Sequence, residues 1–451
     1  MMKSNLLFPL VVLLVAFSRL AFDYLNQIDI HYEEAQYWVW SQNLSLSYLT
    51  KGPFLAWALS LSNYIFGNTY IALKIFSYLA LFTTAALLLF TVSEISGKKP
   101  KPFYFLIICL SPALFFLGGL ATTDIFLFLF WSLALFAYTK FLNTRNDNWF
   151  LLIGLAVGVG LLIKASILLL PASIIFYFLI SDLRKFLISP KLFLSIAIAS
   201  VIFSPVLIWN YGNDWMYFSH ELDHLISQST SLNPHILFVA LFLMAPSFIF
   251  FLNKKFYAFL LSKKIRPLFI PMLAMILFFL MKSIFGKVQV NWPLPVFLCL
   301  IPITILYAEK QRISLASNTL IIFIIFVLAS PATYSLLDQD DPMHPMRGWK
   351  KSMEDIFTGN EYDILVSNDY KLLSVAAYYN KAAQNLIYDR SPGYRLTHYD
   401  TWKNKINDEE KILYLTYDSK NINRLDLECA ILSKSNINSR KNLILYTCKK
   451  L

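Results

Sequence analysis

This chain carries little charge: Asp, Glu, Lys and Arg make up 15% of its 451 residues, against about 25% in an average soluble domain. That scarcity excludes a protein whose whole surface faces water. Acidic residues are the scarcer sign, 28 against 39 Lys and Arg, which leaves a net charge of +11. No small-x-small cleavage site follows the apolar run Leu6 to Phe22, so that run reads as a retained first span. Internal repeats and low-complexity segments are missing too. Cysteine is rare, and its four positions divide by context. Cys109 and Cys299 lie in apolar runs and read as packing residues, whereas Cys429 and Cys448 flank strand-like runs in a polar tail. The tail pair forms a disulfide if the tail is extracytoplasmic; two free thiols are the alternative.

Apolar residues are abundant: 57% of the chain is hydrophobic and 16% aromatic. They gather in runs near the twenty residues that a helix needs to cross a bilayer. These runs begin near Leu6, Tyr70, Phe103, Ile125, Trp149, Ile167, Leu192, His235, Pro267, Pro293 and Leu320, which makes roughly eleven spans. Leu55 to Phe66 is shorter and carries Ser and Asn, so it reads as an interfacial helix. The basic residues collect in short connections: Lys98, Lys99 and Lys101; Arg184, Lys185 and Lys191; Lys254, Lys255, Lys263, Lys264 and Arg266; Lys310 and Arg312. That placement is the positive-inside signal, and it implies no nucleic-acid partner. With the N-terminus cytoplasmic, every basic connection falls inside. The outer connections then hold Glu33, Glu34, Asp124, Asp214, Glu221 and Asp223.

After Leu337 the composition turns polar. DILVSN reads as a strand, YKLLSVAAYYN as a helix, and KILYLTYD, ECAILSK and NLILYTC as further strands. The expected fold is a polytopic α-helical membrane protein over residues 1–336, with a small extracytoplasmic α/β domain over residues 337–451.

Carboxylates beside a membrane are costly unless solvated, paired or used. Glu33 and Glu34 head the first outer loop, in HYEEAQYWVW, and Asp124 lies in the short connection GLATTDIFLF. Lys51, in SYLTKGPFLAW, follows Tyr48 by three residues; Lys164 sits in the turn GVGLLIKASILLLP. A carboxylate at that level can take a proton from an acceptor hydroxyl. A lysine can neutralise a phosphate as a compact point charge. Aromatic side chains suit the headgroup zone and the faces of sugars. Solvated loop carboxylates, and lysines that snorkel to headgroups, account for the same residues on chemistry alone.

The run from Glu33 to Leu79 resembles the first outer loop of polyprenyl-phosphate-sugar-dependent glycosyltransferases of the GT-C fold. That group includes proteins similar to bacterial protein O-mannosyltransferases and lipid A aminoarabinose transferases. Glu33, Glu34, Ala35, Tyr37 and Trp38 match its Asp-Glu-Ala-x-Tyr-Trp element; Tyr48, Lys51 and Pro53 match Tyr-x-x-Lys-x-Pro; Phe66 and Gly67 match its Phe-Gly. TTDIFLFLFW, GLLIKASILLLP, SPVLIWNYGNDW, VQVNWPLP and DPMHPMRGW continue the likeness in order. The resemblance implies transfer of a sugar, with inversion, from a polyprenyl-phosphate donor to a lipid, glycan or protein acceptor. It implies Glu33 and Asp124 as the catalytic carboxylates. Glu34, Tyr37, Tyr48, Lys51, Lys164, Asn291 and Trp292 would bind substrate, with Lys51 on the lipid phosphate. No cofactor is implied, and a divalent metal stays open. A bacterial inner membrane with an outward-facing site is the implied location. One departure stands out: the group has Asp where this chain has Glu33, and the extra methylene moves the carboxylate by over about an ångström, a scale on which rates fall about 100-fold.

Two other readings compete. HELDH, from His220 to His224, fits the His-Glu-x-x-His pattern of zinc metalloproteases, with His235 as a third candidate ligand. A polysaccharide or lipid transporter or polymerase would also be a multi-pass protein, yet transporters set ionisable residues near the midplane in repeated halves. Here they collect on one expected face.

Overall fold

The computed structural model describes residues 2–99, 101–226, 233–286, 288–308, 311–337, 346–391, 394, 396–402, 406–407, 410–417, 425, 427–437 and 441–450. Lys310 and the boundary segment 338–345 lie outside the described residues. Among the described residues, five helices are long and apolar enough to cross a membrane: Tyr70–Ser96, Thr123–Thr144, Pro190–Tyr211, Arg266–Phe285 and Arg312–Ala329. The chain is a multi-pass membrane protein. The remaining expected spans start on or next to helical segments, most of them short or interrupted. Pro112 and Pro246 restart two of these segments, because proline lacks the N–H that an ongoing helix needs.

The chain divides into two compact units. The first comprises Met1–Leu20, Lys51–Phe54 and Lys74–Ile325 and is helical. Lipid is as apolar as leucine, so helices in a bilayer associate by close packing more than by the hydrophobic effect. Gly154 and Gly158, four residues apart on the helix Trp149–Leu161, provide that closeness. A Cβ on Gly154 would lie 2.4 Å from the Ser195 carbonyl oxygen, and one on Gly158 2.9 Å from Ala199 Cα. Ser195 and Ala199 are themselves small and four apart on Pro190–Tyr211. Beside this seam Phe141 gathers Phe150, Phe178 and Phe186 at centroid distances of 4.7, 5.6 and 4.8 Å.

The second unit comprises Ala21–Thr50, Leu55–Leu73 and Phe326–Leu451. It holds a five-stranded sheet of β1 (Ile364–Ser367), β2 (Leu386–Tyr388), β3 (Ile412–Thr416), β4 (Leu427–Ile437) and β5 (Lys441–Lys450). The spatial order is β2-β1-β3-β5-β4. β1 runs parallel to β2 and β3, and β5 runs antiparallel to β3 and β4. β1 and β3 are buried along their whole length, as central strands covered on both faces must be. The helix Tyr370–Tyr379 connects β1 to β2. The four strands and the helix expected from the sequence are all present. β2 and the helix Trp349–Phe357 come unannounced: β2 is three residues long, and that helix is polar enough to pass for a loop. Cys429 and Cys448 stand opposite each other in the β4–β5 register and are joined as a disulfide. Cys109 and Cys299 are free and buried.

Candidate active site

In the first unit, the helix Trp149–Leu161 stops at Leu162, and the chain passes through an extended Lys164 into the short 3-10 turn Ala165–Leu168. The break does two things. It leaves the Leu162 carbonyl to accept from the amide of Phe54 at 3.2 Å. It also turns Lys164 towards Asp124, whose Oδ1 accepts from Lys164 Nζ at 3.0 Å. Asn291, in the connection before the helical segment Leu294–Cys299, donates from Nδ2 to Asp124 Oδ2 at 2.9 Å. Asp124 lies in the first turn of Thr123–Thr144, where the helix dipole favours a carboxylate. The side chains of Lys164 and Asp124 are only 11% and 9% exposed. One carboxylate therefore ties together two side chains 40 and 167 residues away from it in sequence.

The segment Lys51–Phe54 reaches the same turn. Gly52 rests on Leu162: a Cβ there would lie 2.0 Å from its carbonyl oxygen and 2.4 Å from its carbonyl carbon. Only glycine permits that approach, and Pro53 and Phe54 complete the anchor. Phe54 packs edge-on against Phe126 and Phe130 at 5.6 and 5.5 Å. Lys51 and Trp292 are half-buried.

In the second unit, Glu33 and Glu34 open the helix Tyr32–Gln42. His31 caps it: its Nδ1 accepts from the Glu33 amide at 3.3 Å, and the Glu34 carboxylate accepts from the His31 amide at 3.0 Å. This reciprocal capping box satisfies two amides that a bare helix start would strand. Glu34 is fully buried and serves the cap; Glu33, one residue earlier, is half-buried. Tyr37, Trp38 and Trp40 are buried as well. Tyr48 stacks on Trp40 at 4.3 Å with an interplanar angle of 3°. Its hydroxyl lies 2.9 Å from the Trp40 carbonyl and 3.0 Å from that of Asn43. Burial raises the Tyr48 hydroxyl above its ordinary pKa. Tyr37, Tyr48 and Glu34, expected to bind substrate, lie buried in this loop, where Tyr48 and Glu34 make the contacts just described.

His398 was not anticipated from the sequence, where RLTHYDTW carries no motif. It is 3% exposed and meets Tyr48 at 4.6 Å, Trp40 at 5.7 Å and Trp402 at 5.8 Å. Its Nδ1 accepts from the Leu49 amide at 3.3 Å, which assigns the proton to Nε2. Burial lowers its pKa to about 3.

The rival motif lies on the helix Met216–Ile226. The side chain of His224 falls outside the described residues, so the zinc reading rests on spacing alone. Among the described residues no group of three or more His, Cys, Asp or Glu could hold a metal ion. Asn210 is buried and structural: its side chain donates to the Val206 carbonyl and accepts from the Tyr217 amide.

Long apolar helices and a small α/β sheet region match a known fold. The chain superposes on ArnT from Cupriavidus metallidurans in the apo state with a TM-score of 0.68, covering 98% of each chain at 14% identity. On the same protein bound to undecaprenyl phosphate the TM-score is 0.71, at 13% identity over 98% of this chain and 97% of that one. The fold is therefore ArnT-like and of the GT-C type. Residues 50–209 match the family described as dolichyl-phosphate-mannose-protein mannosyltransferase. The chain is also similar to the lipid A galacturonosyltransferase RgtD of Rhizobium johnstonii, 29% identical over 223 residues. That match spans 49% of this chain and about half of the relative, 46% of its length.

Proposed function

We propose that this chain is an integral-membrane inverting glycosyltransferase that moves a sugar from a polyprenyl-phosphate carrier to an acceptor on the outer face of a bacterial inner membrane. The observation that carries this reading is the Asp124–Lys164–Asn291 network at a helix break inside an ArnT-like fold. A nearly buried ammonium is a costly feature, and a phosphate leaving group is a use for it. The similarity to a lipid A galacturonosyltransferase favours a lipid A-type glycolipid among lipid, glycan and protein acceptors. The bonded Cys429–Cys448 pair fits an oxidising, extracytoplasmic compartment for residues 337–451, with residues 1–336 as the membrane transferase domain of roughly eleven spans.

In this mechanism an acceptor oxygen attacks the anomeric carbon from the face opposite the phosphate. The bond from that carbon to the phosphate oxygen breaks, and its electron pair leaves with the phosphate. Glu33 takes the acceptor proton. Lys51 and Lys164 bear on the phosphate charge; Asp124 and Asn291 fix the lysine. Trp292 offers a ring to the donor. The half-buried state of Glu33 suits a base that must stay reachable, whereas Glu34, Tyr37 and Tyr48 act by holding the loop.

Glu33→Gln keeps the shape and removes the base. Transfer from a labelled polyprenyl-phosphate sugar in detergent should fall by at least about 100-fold, the lower range for a general base, with helical content intact. Wild-type turnover in that variant would remove Glu33 from the role. Lys51→Ala should weaken donor binding, and an unchanged donor affinity would dissociate that lysine from the phosphate.

A further inference from the structure

A continuous row of rings and one ammonium begins at His31, two residues before Glu33, and runs onto the sheet region, all within the second unit. The rings of His31 and Tyr32 lie 4.2 Å apart. Lys371 Nζ sits 4.5 Å over the Tyr32 ring and 6.0 Å over that of Tyr370. Tyr370 in turn meets Tyr388 edge-on at 6.0 Å. Lys371 is exposed and the three tyrosines are half-buried, so the row reaches the surface along its length.

Each member stands on a fixed element end. Tyr32 opens the helix that the His31–Glu34 box caps. Tyr370 and Lys371 open the helix whose N-cap, Asp369, accepts from the amides of Lys371 and Leu372 at 2.8 and 3.2 Å. Tyr388 ends β2, in register with Ser367 of β1. Two of the carboxylates around the row already serve local donors. Asp369 holds its cap, and Asp400 accepts from Arg390 at 2.9 Å and from the Thr397 amide at 2.7 Å. The positive charge of Lys371 is thus the outward feature of the row.

We propose that this row is an acceptor-recognition surface for a membrane-anchored saccharide bearing an anionic substituent. Tyr370 and Tyr388 present ring surface to the saccharide, while Tyr32 seats the lysine. Lys371, steadied over Tyr32 by cation–π attraction, directs its N–H donors at a phosphate or carboxylate on the saccharide. The proposal rests on Glu33 as the transfer base, since Tyr32 sets the row directly beside that residue in the chain.

Equilibrium binding to the purified full-length chain in detergent tests it without any transfer step, so failure of the transferase reading and failure of this one remain distinguishable. The probes are phosphorylated lipid A, enzymatically dephosphorylated lipid A, lipid A carrying a uronic acid in place of phosphate, and undecaprenyl phosphate. Wild type should bind the phosphorylated or the uronic acid form at least about tenfold more tightly than the neutral form, the scale of one charge-assisted hydrogen bond. Which form is preferred identifies the anion. Lys371→Ala should erase the preference, Lys371→Arg should restore it, and undecaprenyl phosphate should bind all variants alike. Tyr370→Leu should weaken every saccharide form, including the neutral one. Equal wild-type affinity for the three saccharide forms overturns the proposal. So does a preference that survives Lys371→Ala, or a parallel loss of undecaprenyl phosphate binding, which would assign Lys371 to the donor.

Discussion

Gly52→Ala is the smallest change that reaches the lysine turn, and its effect follows from distances. The added methyl would lie 2.0 Å from the Leu162 carbonyl oxygen, where ordinary contact begins at 3.4 Å. The Lys51–Phe54 segment must therefore retreat by about 1.4 Å, because the atom it meets is backbone and cannot swing aside. That retreat stretches the 3.2 Å hydrogen bond from Phe54 to Leu162 beyond a useful length. Overpacking of this kind costs about 1–3 kcal/mol. A displacement of about an ångström at a reacting centre costs about 100-fold in rate. Thermal unfolding in detergent should therefore show a lowered midpoint, and transfer from a labelled donor should fall by about two orders of magnitude. Gly52→Ser should do the same. A Gly52→Ala chain with an unchanged midpoint would refute the packing argument. A lowered midpoint with full turnover would refute only the link from Lys51 to the donor.

Three further outcomes are expected. Lys164→Ala leaves the nearly buried Asp124 carboxylate without its cation; unfolding should come earlier by about 3 kcal/mol, and Asp124→Ala combined with it should recover part of the loss, whereas an unchanged midpoint would deny the pair any weight. His398 has a folded-state pKa of about 3 against the ordinary 6.5, so the unfolded chain takes up its proton first as pH falls. The stability it contributes is whole above pH 6.5 and is lost as pH falls towards 3, by on the order of 1 kcal/mol per pH unit, and His398→Gln should flatten that slope in a pH series of unfolding midpoints. Replacing Cys429 and Cys448 together by serine should lower the stability of the sheet by about 2–4 kcal/mol, read as earlier unfolding of the β signal in circular dichroism; no change on reducing the wild type would argue against the bond.

The apolar runs announced the helical architecture because bilayer length and side-chain hydropathy act locally, residue by residue. The same locality made β1, β3, β4 and β5 readable as short apolar runs between polar segments, and it hid β2, which is only three residues long. Around the site the local signals went only as far as naming residues. Asp124 and Lys164 could be picked out as charges in apolar surroundings, but their pairing, and the arrival of Asn291 from 167 residues away, are facts of tertiary folding. The resemblance gave the adjacent glutamates different roles, but no local signal in the sequence separates their environments. The helix start separates them: Glu34, at the third helical position, reaches back to the cap, and Glu33 does not. His398 carried no readable signal, since a buried neutral histidine is chosen by its surroundings and not by its neighbours in the chain.

The stop of the helix Trp149–Leu161 gives the length of that helix a meaning of its own. Each residue added to an α-helix turns whatever follows by about 100° and advances it by about 1.5 Å. One residue inserted before Leu162 would swing Lys164 away from Asp124 and carry the Leu162 carbonyl past Phe54, even with every side chain of the network unchanged. The spacing between the glycine seam on Trp149–Leu161 and the lysine turn is thus a ruler. Chains that keep the lysine must keep the count, so a length change here would abolish the network more thoroughly than many single substitutions within it.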